Sequence, residues 1–259
     1  MYRILISNDD GIDAPGLRTL CQELSKMGEI YVVAPEGERS SNSHHLTIAG
    51  NIRYEKREIP GTVEAYALWG TPADCVYAGL NFFFKDKIDL AVSGINRGEN
   101  VSTDIIYSGT VGAAREAHLQ HFPSIATSVD SFVCKDYTVA AYYTRIIAEL
   151  FMKQEDKTSY FLNINTPYLN KKDIKGIRIC DSINLFRYNN DLSTFEKGGN
   201  NYISISDTVV TMYGDRNDLN IDVNALRAGY VVVSALHDSP INKEKTAALS
   251  SWINDTIGQ

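Results

Sequence analysis

The chain has little that would suit it to an oxidising compartment, a membrane or a nucleic-acid polymer. Its 259 residues hold four cysteines, Cys21, Cys75, Cys134 and Cys180, with no C-x-x-C pair. That scatter argues against a disulfide framework, and buried reduced thiols are expected. No H-x-x-x-H or H-E-x-x-H occurs among five histidines, so a zinc site is not expected. No apolar run approaches the roughly 18–20 residues that span a bilayer, and there is no signal-peptide layout; a cytoplasmic protein without a membrane partner is expected. Basic residues are in deficit: the net charge is −7, which argues against a nucleic-acid polymer or an anionic membrane surface as the main partner. An acidic chain that binds phosphate needs a bound cation or aimed backbone N–H groups. Linkers, low-complexity tracts and internal repeats are also missing, so the chain reads as one large α/β domain or one domain with an appendage.

What is present is organised around Ile4-Leu5-Ile6-Ser7-Asn8-Asp9-Asp10-Gly11-Ile12-Asp13-Ala14-Pro15-Gly16-Leu17. An apolar run of strand length stops at three polar residues and a glycine, and a helix is expected from Pro15, because proline suits the first helical turn. Side chains at the end of a buried parallel strand face the crevice where ligands bind. Two adjacent carboxylates there repel each other and lose hydration, which a cation would relieve. The same residues also suit a solvated turn capping the next helix.

Leu17, Leu20, Cys21, Leu24 and Met27 recur at helical spacing, and Ile30–Ala34 is a second apolar run. Strand, helix and strand make a βαβ unit and so a parallel sheet. Residues 36–45 form a polar, serine-rich loop. Thr47–Glu58 and Val63–Leu68 alternate as strands do, with a turn at Pro60-Gly61. A helix follows Gly70-Thr71-Pro72, its inner face including Cys75, Val76 and Phe82. Asp89–Ser93 reads as a strand ending in the loop Gly94-Ile95-Asn96-Arg97-Gly98-Glu99-Asn100, and a helix opens at Ser108-Gly109-Thr110. Ser124–Ser128, Tyr160–Asn165 and Tyr230–Ala235 read as strands, the last able to return to the main sheet. Tyr137–Lys153, Asp218–Arg227 and Lys243–Ile257 read as helices, and Phe186–Lys197 with Asn201–Thr211 as a hairpin. The hairpin and terminal helix have too few apolar residues for a core of their own and are expected to pack on a neighbouring subunit.

Three loops thus converge at strand ends: Asn8-Asp9-Asp10, Arg39-Ser40-Ser41 and Gly94-Ile95-Asn96. They offer carboxylates, hydroxyls and a carboxamide, an all-oxygen set that favours Mg²⁺, Mn²⁺ or Ca²⁺. Tyr107-Ser108-Gly109-Thr110 at a helix start suits a phosphate, with bare N–H groups and two hydroxyls, though it also suits an ordinary serine cap. A cation beside an anion cradle is the equipment of phosphate-ester hydrolysis by activated water, with a carboxylate accepting the proton. A nucleotide sensor without turnover would use the same crevice. A dinucleotide oxidoreductase is disfavoured, since Asn-Asp-Asp-Gly stands where G-x-G-x-x-G is required.

Five ordered stretches, ILISNDDGIDAPG, VVAPEGERS, WGTPADCVYAGL, DLAVSGINRGEN and YSGTVGAAREA, resemble the SurE survival proteins, a family of metal-dependent 5′(3′)-nucleotidases. The resemblance implies metal ligands at Asp9, Asp10, Ser40 and Asn96, with Asp9 the favoured proton acceptor, so that Asp9 and Asp10 are the candidate catalytic pair. It places Asn8, Ser108, Gly109 and Thr110 around the substrate phosphate. It also implies a Rossmann-like, mostly parallel sheet flanked by helices over residues 1–180, and a C-terminal extension over 181–259 exchanged in a homodimer or homotetramer. One divalent cation per subunit is expected (Mg²⁺ or Mn²⁺, with Ca²⁺ able to take its place in crystals), acting on nucleoside monophosphates and on short polyphosphate. The serine loop departs from the family pattern at Ser41 and around His44-His45, and Val233-Ser234-Ala235-Leu236 stands where Thr-Pro-Leu is common.

Overall fold

The computed structural model describes residues 1–183, 186–212, 215, 217–239, 241, 243, 245–246, 249–250 and 252, without the side chains of 186–191 and 206–212. Its strands are β1 (Tyr2–Ser7), β2 (Gly28–Pro35), β3 (Tyr54–Arg57), β4 (Glu64–Leu68), β5 (Leu90–Arg97), β6 (Ser124–Asp130), β7 (Phe161–Pro167), β8 (Ile177–Ile179), β9 (Phe186–Lys197), β10 (Asn200–Met212) and β11 (Val231–Leu236). Nine of them form one sheet in the order β3-β4-β2-β1-β5-β6-β7-β11-β8. Every pairing is parallel except β3 with β4 and β7 with β11. The chain builds outward from β1 through β2 and β4, then crosses to β5 and builds the other way. The switch point, where a crevice must open, therefore lies between β1 and β5.

The strands read as near-continuous apolar runs because both faces are covered. Ile4 and Ile6 of β1 point to one face, into a core shared with Leu17, Leu20 and Leu24 of α1 (Pro15–Leu24) and with Ala140, Ile147 and Phe151 of α5 (Thr138–Phe151). Leu5 points to the other, with Val33, with Cys75 and Val76 of α2 (Pro72–Ala78), and with Ala113 and Ala117 of α4 (Gly109–Leu119). Two further short helices are α3 (Asp104–Tyr107) before α4 and α6 (Asp222–Arg227) before β11. All four cysteines are free and buried.

Several elements differ from the sequence expectation. The helix expected to run on through Phe82 gives way to a π-helical turn at Gly79–Phe83, which leaves the Phe82 ring 71% exposed. Of the strand expected over Thr47–Glu58 only β3 pairs; upstream of it Thr47 is turned to α2, donating its N–H and hydroxyl to Asp74, and Ile48 is exposed. Asn96 is not in a loop: β5 continues through it, the ladder with β6 slipping after Ser93 and resuming at Asn96 opposite Ser128. The helix expected from Asp218 begins only at Asp222. The expected hairpin is present as a separate two-stranded sheet of β9 and β10, with Leu192, Ile203 and Ile205 about two-thirds exposed. The helix expected over Lys243–Ile257 falls largely outside the described residues. Among the described residues no helix is long and apolar enough to cross a membrane.

Candidate active site

The turn after β1 is closed by Asn8, which is fully buried. Its Nδ2 donates to the Gly11 carbonyl at 2.9 Å, while its Oδ1 is buried without a hydrogen-bond partner. Gly11 sits at φ +100°, a left-handed conformation that favours glycine, and a Cβ there would lie 3.1 Å from the Gly37 backbone. Asp9 is 4% exposed. Its carbonyl accepts from the Arg39 N–H at 2.7 Å, which ties the serine loop to the end of β1. Its carboxylate is gripped by Thr110 at the start of α4: the Thr110 N–H donates to Oδ2 at 3.1 Å and the Thr110 hydroxyl donates to Oδ1. Asp10, beside it, accepts from the Arg97 N–H at 3.1 Å.

Burial is the main force on both carboxylates. It pushes the Asp9 pKa up to about 6; the Thr110 hydroxyl opposes this and the charge of Asp10 adds to it. Asp10 is also raised by burial, against the pull of the Arg97 N–H and guanidinium. Two carboxylates held above their ordinary range by lost hydration and, at Asp9, by the neighbouring charge are what a bound cation would relieve.

Asp9, Ser40, Asn96 and Ser108 line one cavity of about 170 Å³, together with Tyr107 and Phe132. Asn96 donates its Nδ2 to the Gly98 carbonyl at 2.8 Å, which leaves Oδ1 as the oxygen a cation could use. Ser40 is exposed and donates to Glu38 Oε1 at 2.8 Å. Asp10 lines an adjoining cavity of about 180 Å³ with Glu38 and Arg97. Gly109 lies directly behind Asp9, where a Cβ would come within 3.0 Å of the aspartate Cβ and Oδ2. Thr110 is fully buried and committed to Asp9, so the hydroxyl expected to face a phosphate instead holds a carboxylate. Ser108 caps α4, its Oγ accepting from the Val111 N–H at 3.1 Å. Among the described residues no group of three or more His, Cys, Asp or Glu side chains could hold a metal; the set here is two carboxylates with neutral oxygens, which suits a hard cation that keeps positions open.

The loops around the cavity are fixed by polar contacts, of which only the Thr71–Asp74 capping box has a local sequence signal. Ser43 donates its N–H to the Tyr107 carbonyl and its hydroxyl to the Ile106 carbonyl, at 2.9 and 2.7 Å. His44 Nε2 meets the buried Glu116 Oε2 at 2.7 Å, so the histidine pair that departs from the family pattern packs one member against α4. Asp74, 3% exposed, accepts from the Thr47 N–H and hydroxyl and from the Thr71 N–H. On the other side the Asn100 backbone is held by Asn163 and Asn165 of β7. The Ser102 N–H and hydroxyl both donate to the buried Asp222 of α6, at 2.6 and 2.7 Å.

Comparison with known proteins places the chain in a family. Residues 4–188 match the family model described as survival protein SurE. The 5′-nucleotidase SurE of Clostridium botulinum strain Loch Maree is 38% identical over 239 residues, 90% of this chain and 92% of the relative. That of Syntrophomonas wolfei is 39% identical over 241 residues, 91% and 88% of the two chains. The crystal structure of the SurE protein from Aquifex aeolicus superposes with a TM-score of 0.81 at 30% identity, covering 96% of this chain and 99% of that one. The chain belongs to the SurE family.

Proposed function

We propose that this protein is a divalent-metal-dependent 5′-nucleotidase, a phosphomonoesterase that hydrolyses nucleoside 5′-monophosphates to nucleoside and phosphate. Relatives that share about two-fifths of its residues along nine-tenths of its length carry that activity in their names. The observation in the molecule that carries the reading is Asp9: a buried carboxylate at the switch point of a parallel sheet, aimed by the N-terminus of α4 into a cavity it shares with Ser40, Asn96 and Ser108.

Asp9, Asp10, Ser40 and Asn96 would hold one Mg²⁺ or Mn²⁺ per subunit. When bound, the cation supplies polarisation of a phosphoryl oxygen and a lowered pKa for water. Thr110 orients Asp9, its N–H and hydroxyl donating to the two carboxylate oxygens. Asp9 is the carboxylate we assign to accept the proton from the attacking water. Ser108 and the N-terminal end of α4 face the anionic phosphate, and Gly109 permits the close approach of helix and carboxylate. Asn8 supports from behind by closing the turn. Nucleoside 3′-monophosphates and short polyphosphate are further substrates to assay. We place the catalytic core in residues 1–180 and assign 181–259, with its exposed hairpin, to contacts within a homodimer or homotetramer in the cytoplasm; β11, from the second segment, sits in the main sheet.

The test is phosphate release from a panel of nucleoside 5′- and 3′-monophosphates with Mg²⁺, Mn²⁺ or EDTA. Turnover that requires metal and vanishes in Asp9→Asn is expected. Nucleotide binding without turnover under any metal would replace the enzyme by a sensor.

A further inference from the structure

We propose that the ring of Phe132 is the surface on which the substrate's base stacks, so that this side chain sets how far the enzyme prefers a nucleotide over a phosphorylated sugar. The inference rests on the nucleotidase reading and deepens it. Phe132 lies in the loop that leaves β6, the neighbour of β5 in the sheet, and so beside the strand that carries Asn96. It is 72% exposed, yet it lines the same cavity as Asp9, Ser40, Asn96 and Ser108.

The ring is braced against Gly98. A Cβ on Gly98 would lie 2.5 Å from the ring's Cε1 and 2.9 Å from Cζ, so the ring rests on a backbone that only glycine leaves bare. Gly98 is itself held, its N–H donating to the Val129 carbonyl at 3.0 Å and its carbonyl accepting from Asn96 Nδ2 at 2.8 Å. One carboxamide therefore links the oxygen offered to the cation with the backbone that supports the ring. Phe132 is the more exposed of the two aromatic rings, with Tyr107, that line a site otherwise made of polar and charged side chains, and its flat apolar face matches the one flat, weakly polar part of a nucleotide. Stacking on an aromatic ring tolerates every base, since each has a π-face. Broad base acceptance follows, with purines favoured over pyrimidines by their larger area.

The experiment compares wild type, Phe132→Ala and Phe132→Trp in the full-length assembled protein, using AMP, CMP and ribose 5-phosphate with Mn²⁺. In Phe132→Ala, kcat/KM for AMP is expected to fall about tenfold, mainly through KM. The loss should be smaller for CMP and within about twofold for ribose 5-phosphate, which has no base to stack, while Phe132→Trp retains AMP activity. An equal loss on all three substrates would overturn the proposal, since the ring would then only pack the loop. No loss on AMP would overturn it too, as would a changed oligomer mass in Phe132→Ala, because the ring would then cover a subunit contact. Wild type inactive on every substrate would refute the phosphatase reading instead, and wild type using AMP no better than ribose 5-phosphate would refute this inference alone.

Discussion

Replacing Asp9 by asparagine is expected to abolish turnover and at the same time to stabilise the metal-free protein. The folded protein holds this carboxyl at about 6, against 3.8 in an ordinary setting. A difference of roughly two pH units at 1.36 kcal/mol each amounts to ~3 kcal/mol of strain in the charged form. The sign follows from linkage. Below pH 3.8 the group is protonated in both folded and unfolded chains and nothing is lost; the penalty accumulates between 3.8 and 6 and is complete above 6. Asparagine is isosteric and neutral. Its Oδ1 can accept from the Thr110 N–H, and its Nδ2 can donate to the Thr110 hydroxyl, which accepts as readily as it donates. Both contacts therefore survive the exchange.

In EDTA at pH 8 the variant should melt higher than wild type by roughly 6–12 °C, taking 2–4 °C per kcal/mol for a chain of this size. The gain should shrink toward zero as the pH falls to 4. Mn²⁺ at a hundred times its Kd would add ~2.7 kcal/mol to wild type and little to the variant. Thermal unfolding followed by circular dichroism across pH 4–8, with and without metal, reads all of this. A variant no more stable than wild type at pH 8 in EDTA, or one whose gain ignores pH, would refute the view that Asp9 is strained in order to hold a cation.

Gly109→Ala should fold normally and lose ~10–100-fold in kcat, because the new methyl displaces Asp9, whose Cβ and Oδ2 lie 3.0 Å from where it would stand; a kcat within twofold of wild type would refute the close-approach argument. Asp74→Ala leaves the Thr47 and Thr71 N–H groups without their acceptor. It should cost about 2–4 kcal/mol in urea unfolding and weaken Mn²⁺ binding measured by calorimetry, since the serine loop carrying Ser40 is freed. Asp222→Ala removes the two carboxylate oxygens that accept from the Ser102 N–H and hydroxyl; limited proteolysis should then cut within residues 98–104, and KM for nucleotide should rise severalfold while the melting curve stays cooperative.

The parallel sheet was readable because each buried strand is an apolar run and each run ends in polar residues. Ile4 and Ile6 face one layer and Leu5 the other, so the run that marks β1 also marks where Asp9 must emerge. The same logic located Ser40 and Asn96 near strand ends, although β5 carries Asn96 inside its ladder, because the sheet resumes there after an irregularity. What could not be read is which polar group meets which. A small residue with a hydroxyl at a helix start serves equally to bind a phosphate or to hold a carboxylate, and Thr110 does the second with a partner 101 positions away. Asp74, Glu116 and Asp222 look like surface acids in the sequence and are buried anchors in the fold, since their partners lie 27, 72 and 120 residues distant.

The positions where local rules fail are concentrated around the cavity. Five non-glycine residues among those described have positive φ, and three of them are Ser41, Ser43 and Ser102, on the two loops that flank Asp9. A serine in the left-handed region is disfavoured on its own. Ser43 is held there by two carbonyls of the α3 segment and Ser102 by both oxygens of Asp222. These loops therefore have the shape that α3 and α6 impose on them. The acid that anchors Ser102 comes from α6, 120 residues further along the chain, so the order of the active-site loop depends on how α6 is seated.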